Sequence, residues 1–160
     1  MTVRGAESVD TVGLARLWYD GWQDAHSQIV PAELARARTL ESFERRMAAA
    51  LADVRVMGPS ESLLGFYMLK GDELYQFYVS APARGAGVAA ALIEDAEVWL
   101  AQRGVKIAWL NCAIGNKRAA RFYEKCGWTC AGPIVSELET GDGIFSLEVW
   151  RYEKPLALVR

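Results

Sequence analysis

Histidine and cysteine are scarce in this chain of 160 residues, and long apolar runs are absent from its sequence. Cys126 and Cys130 are spaced four apart, but a chain with one histidine, His26, offers no third and fourth ligand to complete a zinc site. With Cys112 the cysteines number three, an odd count typical of buried free thiols in a reducing compartment. No segment resembles a signal peptide or reaches the roughly 18 apolar residues of a membrane span. We therefore expect a cytoplasmic protein that binds no metal and has no membrane partner.

The sequence also lacks a strong charge of either sign. Its 18 basic and 20 acidic residues give a net charge of -2, which provides no basic field for nucleic acid or an anionic membrane. The slight acidic excess favours, weakly, a cationic substrate. No linker, repeat or low-complexity segment divides the chain. A chain of this length can bury most of its apolar surface in a single core, so we predict one domain over residues 1–160.

The N-terminal part of the chain shows helical periodicity after a short edge strand at residues 2–6. Asp10 is a candidate cap for the first helix, and Gly21 interrupts that helix near its end. Residues 24–31 are then predicted to form a loop.

Two further helices are predicted before the first long strand. One begins near Pro31, a residue favoured in the first turn of a helix. Thr39 can cap the next, whose apolar residues share one face while Arg45 and Arg46 point to solvent.

The rest of the chain alternates between strand and helix patterns. Strands are predicted at residues 54–56, 63–69, 73–79, 105–113, 130–138 and 144–152. The first three are joined by connections too short for parallel crossovers, so they form an antiparallel meander. A helix that begins near Val88 is long enough to connect the strand at 73–79 to a parallel neighbour at 105–113. Asn116 is a candidate cap for the last helix.

Residues 84–89, Arg-Gly-Ala-Gly-Val-Ala, connect the strand at 73–79 to a helix. Two glycines remove Cβ atoms where the helix N-terminus presents unpaired N–H groups, so this turn is a candidate cradle for a phosphate or pyrophosphate. A Walker loop is excluded because no lysine follows the glycines. A dinucleotide-binding turn has similar glycine spacing, but the acid required about 20 residues later is missing, since residues 105–113 contain no Asp or Glu.

Two segments together resemble the GNAT superfamily of acetyltransferases. The turn Arg84-x-x-Gly87-x-Ala89 resembles the family's pyrophosphate-binding signature. Residues 110–128, Leu-x-Cys-x-x-x-Asn-x-x-Ala-x-x-Phe-Tyr-Glu-Lys-x-Gly-Trp, resemble the family segment that follows this signature. Cys112 and Trp128 are mild departures from that segment. The likeness covers residues 73–130 and is loose elsewhere.

The resemblance implies an α/β fold with a central mixed, mostly antiparallel sheet of six or seven strands, flanked by four or five helices. It also implies acetyl-CoA as cosubstrate, with its arm lying where the strand at 75–79 splays from the strand at 106–112. Pantetheine amides can pair with such an exposed strand edge. Asn116 has two interpretations, a contact to the cofactor arm or a helix cap. The cofactor-binding residues implied are Phe77, Tyr78, Val79, Arg84, Gly85, Ala86, Gly87, Val88, Ala89, Asn116, Ala119 and Tyr123.

The same resemblance makes Tyr123 the candidate general acid. A phenol with a pKa near 10 can reprotonate a leaving thiolate whose thiol has a pKa of about 8.5. The alternative interpretation is that Tyr123 only packs in the core.

The general base is less clearly indicated, because Tyr75 occupies the position at which several family members have a glutamate. Glu73, two residues away on the same face, could act through a water molecule. His26 is the other candidate, although a surface loop is the commoner place for such a histidine, and solvent itself is a third. Trp22, His26 and Tyr75 are the candidate acceptor-binding residues.

The sequence thus predicts an N-acetyltransferase that acts on a small-molecule amine or a peptide amine by direct attack. A non-catalytic module that binds acyl-CoA through the same fold is the alternative function, and a homodimer is compatible with either. The sequence does not choose among acceptor amines.

Overall fold

A seven-stranded sheet with helices on both faces forms the fold, as seen in a computed structural model that describes residues 2–157. The strands are β1 (Val3–Gly5), β2 (Val54–Met57), β3 (Gly65–Lys70), β4 (Glu73–Val79), β5 (Ile107–Ala113), β6 (Thr129–Thr140) and β7 (Gly143–Pro155). The helices are α1 (Thr11–His26), α2 (Ala32–Ala37), α3 (Leu40–Ala50), α4 (Val88–Gln102) and α5 (Lys117–Lys125). The predicted mixed α/β architecture is confirmed.

The strands lie in the order β1-β2-β3-β4-β5-β7-β6, and β4 and β5 are the parallel pair among antiparallel neighbours. Aromatic and β-branched residues favour this pleated surface. The β4–β5 register contains a single pair, Glu73 opposite Trp109. Beyond that pair the two strands diverge, as the resemblance implied, and the sheet is open at its centre.

Two apolar cores fill the two faces of the sheet. In α4, Val88, Leu92, Ala96 and Leu100 recur every four residues, so they form one buried stripe that packs on the first face together with α5. The second face is covered by α1 and α3, with Trp18 among its buried side chains. The opening between β4 and β5 therefore connects two separately packed faces.

Helix α1 differs from its prediction at both ends. It continues without interruption through Gly21 to His26, so the first residues of the predicted loop are helical. Asp10 makes no side-chain capping bond to α1. Its buried carboxylate instead accepts hydrogen bonds from the Arg4 guanidinium at 2.8 and 3.0 Å and from Ser60 Oγ at 2.6 Å. These donors hold its pKa below the ordinary range, and they tie the start of α1 to the β1–β2 edge.

The other two predicted caps are confirmed. Thr39 Oγ1 accepts from the N–H of Ser42 at 3.1 Å at the start of α3, and Asn116 Oδ1 accepts from the N–H of Ala119 at 3.3 Å at the start of α5. The prediction for the cysteines holds in part: Cys112 is buried, but Cys126 is half-buried and Cys130 is exposed.

Gly21→Ala should lower the free energy of unfolding by about 1 kcal/mol or more, although alanine is the better helix former. A Cβ added at residue 21 would lie 2.5 Å from Cδ1 of Tyr78, whose ring stacks on Phe66 and cannot easily move aside. Urea unfolding followed by circular dichroism measures the change.

Gly13→Ala is the matched control in the same helix. There the added Cβ would meet the flexible end of Leu63 at 2.9 Å, so helix propensity should prevail and the variant should be as stable as the wild type or slightly more stable. Equal stability of the two variants would show that the contact of α1 with Tyr78 does not require glycine.

Candidate active site

A cleft of about 590 Å³ opens where β4 and β5 diverge. It is lined from one face of the sheet by α5 and from the other by α1, α2 and α3. The candidate catalytic and acceptor-binding residues all line it: Trp22, His26, Glu73, Tyr75 and Tyr123. Among the candidate cofactor residues, Phe77, Tyr78, Asn116 and Ala119 also line it, whereas Val79 and residues 84–89 lie outside.

The edge of β4 has unpaired backbone groups where it diverges from β5, in the cleft at Phe77 and beside it at Val79. Ser80 donates its N–H to Leu64 O at 2.8 Å, on the side of β3. Because backbone groups alternate in direction along a strand, those of Val79 and Phe77 point the other way, toward β5. No register pair with β5 occupies them within residues 2–157. An extended chain of amides can pair with such an edge.

The turn at residues 84–89 has the backbone of an anion cradle. Gly85 and Gly87 have φ of +83° and +82°, which favours glycine, and a Cβ at either position would meet no atom within 4 Å. No backbone hydrogen bond within the described part of the chain uses the N–H groups of Gly87, Val88 or Ala89 at the start of α4. These groups, with the helix dipole, can hold a phosphate.

The side chain of Arg84 is directed away from that cradle. Its Nη2 donates to Asp24 Oδ2 at 2.9 Å, at the end of α1, and Arg118 of α5 reaches the same oxygen at 3.3 Å. These two arginines lower the pKa of Asp24. The turn is thereby tied to the two helices that border the cleft.

Tyr123 is buried on the α5 side of the cleft, with 8% of its surface exposed. Phe77, Trp128 and Tyr152 surround its ring at centroid distances of 6.1 to 6.3 Å. Burial, with a smaller effect from Cys112, raises the pKa of Tyr123 above that of an ordinary phenol. The hydroxyl is therefore protonated at neutral pH and can act as a proton donor.

Glu73 is buried at the narrow end of the cleft, also with 8% of its surface exposed. Burial raises its pKa from the ordinary 4.5 to about 7, while the charges of Lys70 and Arg151 oppose the shift and that of Asp72 adds to it. A carboxyl group with a pKa near neutral pH can both accept and release a proton there, as a general base requires.

His26 occupies the last turn of α1, not a surface loop as expected. The centroid of its ring lies 5.4 Å from the ring centroid of Trp22 and 6.5 Å from that of Tyr78. Burial lowers its pKa to about 4, and the Trp22 carbonyl opposes this only partly. His26 is neutral at pH 7, and so low a pKa makes it a weaker base than Glu73.

Three cleft residues were missed or misplaced by the sequence prediction. Arg46, expected in solvent, is half-buried, lies 4.3 Å above the Trp18 ring and donates to the Tyr75 hydroxyl at 3.0 Å. Arg38 has 5% of its surface exposed and donates to the carbonyl of Glu139 in β6 at 2.9 Å. Asn111 of β5 donates to Ser136. No local pattern signals these positions, because each depends on contacts between distant segments.

Comparisons with known proteins agree with this fold and show the family. The model of the Acetyltransferase (GNAT) family matches residues 14–128. An uncharacterised N-acetyltransferase of Mycobacterium tuberculosis is 31% identical over 113 residues, which cover 66% of this chain and 69% of the relative. In fold, the chain is similar to a GCN5-related N-acetyltransferase of Rhodopseudomonas palustris, with a TM-score of 0.75, 19% identity and coverage of 97% of this chain and 95% of that one.

A second structural neighbour is the PaiA N-acetyltransferase of Thermoplasma acidophilum, solved in complex with coenzyme A. Its TM-score is 0.62 at 18% identity, with 96% of this chain and 97% of that one covered. The chain therefore belongs to the GNAT family and is an acetyl-CoA-dependent N-acetyltransferase. Residues 2–157 contain no helix long and apolar enough to cross a membrane, and in them no three His, Cys, Asp or Glu side chains are placed to bind a metal ion.

Relative to the wild type, Glu73→Gln should gain free energy of unfolding as the pH rises from about 4.5 to 7. In this window the folded state retains a proton on Glu73 that the unfolded state has released, because the folded pKa is about 7 and the ordinary value 4.5. The contribution of Glu73 to the stability of the wild type therefore falls as pH rises through the window, by about 1.4 kcal/mol per unit of pKa difference. Glutamine does not titrate, so the variant escapes this loss.

Urea unfolding at steps of half a pH unit measures the free energy of unfolding of the wild type and of the variant. His26 contributes with the opposite sign in both proteins, so its contribution cancels in their difference. Glu44→Gln, at an exposed position of α3, is the matched control and should follow the wild type. If Glu73→Gln also follows the wild type, the buried carboxyl of Glu73 does not have a raised pKa.

Proposed function

We propose that the protein transfers the acetyl group of acetyl-CoA to a primary amine by direct attack, with Tyr123 as general acid and Glu73 as general base. One observation carries this proposal: a single opening between β4 and β5 is lined by the buried phenol, the buried carboxyl group and the unpaired edge of β4. The chain would act as one catalytic domain.

The backbone around the opening fits coenzyme A. The pantetheine amides would pair with Phe77 and Val79, and the pyrophosphate would lie in the turn at residues 84–89, on the free N–H groups of Gly87, Val88 and Ala89. The thioester oxygen would then lie near a β4 N–H, which can stabilise the negative charge that develops as the amine attacks. The complex of the Thermoplasma protein with coenzyme A supports the same cosubstrate here.

Two side chains transfer protons in this reaction. Glu73 takes one proton from the ammonium form of the acceptor, directly or through water, which leaves the nitrogen lone pair free to form the C–N bond. When the C–S bond breaks, Tyr123 donates its proton to the departing thiolate. The nitrogen loses a second proton to solvent as the amide forms, and solvent returns a proton to Tyr123 after the thiolate has left. Burial raises the pKa of a thiol and of a phenol alike, so the raised pKa of Tyr123 does not by itself prevent this transfer between groups in the same apolar site.

Tyr123→Phe should lower kcat for acetyl transfer by ten-fold or more, since general acid catalysis typically contributes about 10²-fold or more. Binding of coenzyme A should be unchanged, because the ring and its packing remain. The measurements are thiol release from acetyl-CoA across a panel of amines, and calorimetric titration with coenzyme A. Tyr19→Phe, a half-buried tyrosine of α1 outside the cleft, is the control and should retain activity.

Tyr78→Phe tests a second phenol of the cleft, which is half-buried. If this variant loses more activity than Tyr123→Phe, the general acid is Tyr78 and the proposed role of Tyr123 is wrong. If acetyl-CoA binds but no amine in the panel is acetylated by the wild type, a non-catalytic acyl-CoA-binding module becomes the better account.

A further inference from the structure

Two arginines on the acceptor side of the cleft lack a carboxylate partner. Within residues 2–157, no salt bridge involves Arg38 or Arg46, whereas Arg84 at the edge of the cleft is paired with Asp24. Arg45, which also lines the cleft without a salt bridge, is exposed to solvent. Arg38 is almost fully buried, and its Nη1 is bonded to a neutral carbonyl, that of Glu139. Arg46 is bonded to a neutral hydroxyl, that of Tyr75.

This arrangement is costly without an anion. A buried charge destabilises a protein unless it is paired, and Arg38 and Arg46 line the same cleft with charges of the same sign. Burial and then the charge of Arg46 lower the pKa of Arg38 to about 10. An anion between the two side chains would relieve both effects.

The acidic residues that line the cleft do not neutralise the pair. Glu137 and Glu139 are exposed, on the outer positions of β6, and the carboxylate of Glu137 accepts from Ser146. Glu73 lies opposite Lys70 in the β3–β4 register. The two arginines are therefore available to a bound ligand.

The position of the pair separates it from the cofactor. Arg46 packs on Trp18, in the core on the α1–α3 face, whereas the phosphate-binding turn begins α4 on the opposite face. Tyr75, the hydrogen-bond partner of Arg46, is two residues from Glu73, or about 7 Å along a strand. An anion beside the arginines and an amine near Glu73, reached directly or through one water molecule, would thus lie in the same cleft.

We propose that the acceptor is a small amine that also carries a carboxylate, held between Arg38 and Arg46 with its amine directed toward Glu73. This rests on the proposed function and deepens it. Planar guanidinium groups match a carboxylate with two parallel hydrogen bonds. On the same side of the cleft, the carbonyl oxygen of Asn111 is buried with no partner in the described residues, so it can accept from the amine.

The size of the cleft favours a small acceptor. Its volume of about 590 Å³ must hold the end of the cofactor arm as well as the acceptor. The Arg38–Glu139 bond ties the end of α2 to the β6–β7 hairpin, which covers this side of the cleft with Leu138 and Leu147. A free amino acid fits this space better than an amine on the surface of a folded protein.

The test compares amines that share one carbon skeleton. Initial rates of thiol release from acetyl-CoA are measured for an α-amino acid, its carboxamide and its decarboxylated amine. Phosphoethanolamine is included as an amine that carries a phosphate in place of the carboxylate. The wild type should prefer the amino acid over its carboxamide by ten-fold or more in kcat/KM. Arg46→Gln should reduce this preference by ten-fold, mainly through KM. Comparing variants cancels the different basicities of the amines.

Arg36→Gln removes an exposed arginine of α2 outside the cleft and should keep the wild-type preference. If Arg46→Gln does not fold, Arg38→Lys is the second variant. It keeps the charge but loses the planar guanidinium group, so it should weaken the preference for the amino acid over its carboxamide. Equal rates with the amino acid and its carboxamide, or faster rates with spermidine or a protein amine, would overturn the proposal. A ten-fold preference for phosphoethanolamine would overturn the assignment to a carboxylate.

A binding measurement separates this proposal from the proposed function. With coenzyme A present, an N-acetyl amino acid should raise the melting temperature of the wild type more than its carboxamide does, and this difference should vanish in Arg46→Gln. If no amine is acetylated but the difference is observed, the anion site stands and the acetyl transfer to amines does not. If the difference is absent, the anion site is wrong whatever the rates show.

Discussion

Strands β4 and β5 are joined only at one end, by a junction at Asp72 and Trp109. The rest of the site depends on this, because the strands are free to diverge beyond the junction. The carbonyl of Asp72 accepts from the N–H of Trp109 at 3.3 Å, and its carboxylate accepts from the indole Nε1 at 2.8 Å. A bulge at Tyr75, where the β3–β4 register shifts, adds twist to β4 next to this junction. The diverging strands leave backbone groups unpaired in the middle of a sheet, which is unfavourable unless a ligand pairs with them. The opening therefore combines the binding edge and the cleft in one feature.

The same opening decides the protonation states around it. Three ionisable groups that line the cleft are removed from water, so the charged form of each is disfavoured: the pKa of Glu73 rises, that of His26 falls, and that of Tyr123 rises. Of the three, only Glu73 acquires a pKa near 7 by this effect. The ordinary pKa of a carboxyl group lies below 7 and is raised by burial, whereas that of histidine lies near 7 and is lowered. Desolvation alone thus selects Glu73 over His26 as the better base, although nothing in the sequence distinguishes them.

Features that depend on neighbouring residues could be predicted from the sequence, and features that depend on distant contacts could not. Thr39 and Asn116 cap helices because a side chain and a backbone N–H three residues apart suffice for the bond. The two motif segments likewise indicated the sheet and the family. Gly21 was read as a helix interruption because its partner, Tyr78, is remote in the chain. Arg46 was predicted to point to solvent for the same reason. Helical periodicity shows which face of a helix is apolar, but it does not show that the charged side chain of Arg46 contacts the Trp18 ring and the Tyr75 hydroxyl.

The protonation state of Cys112 decides whether this cysteine could carry the acetyl group as a covalent intermediate. This thiol lines the cleft and is the one cysteine of the chain placed to compete with the amine for the acetyl group. A covalent route through it would require a thiolate, which is the nucleophilic form of cysteine. Burial raises the pKa of Cys112 to about 12, and the neighbouring carbonyls of Ala113 and Asn116, 3.8 Å from the sulfur, favour the protonated form further. A thiol with this pKa has only about one part in 10⁵ as thiolate at pH 7. An acetyl-cysteine intermediate is therefore disfavoured at Cys112, which is consistent with the proposed direct attack of an amine whose proton Glu73 accepts.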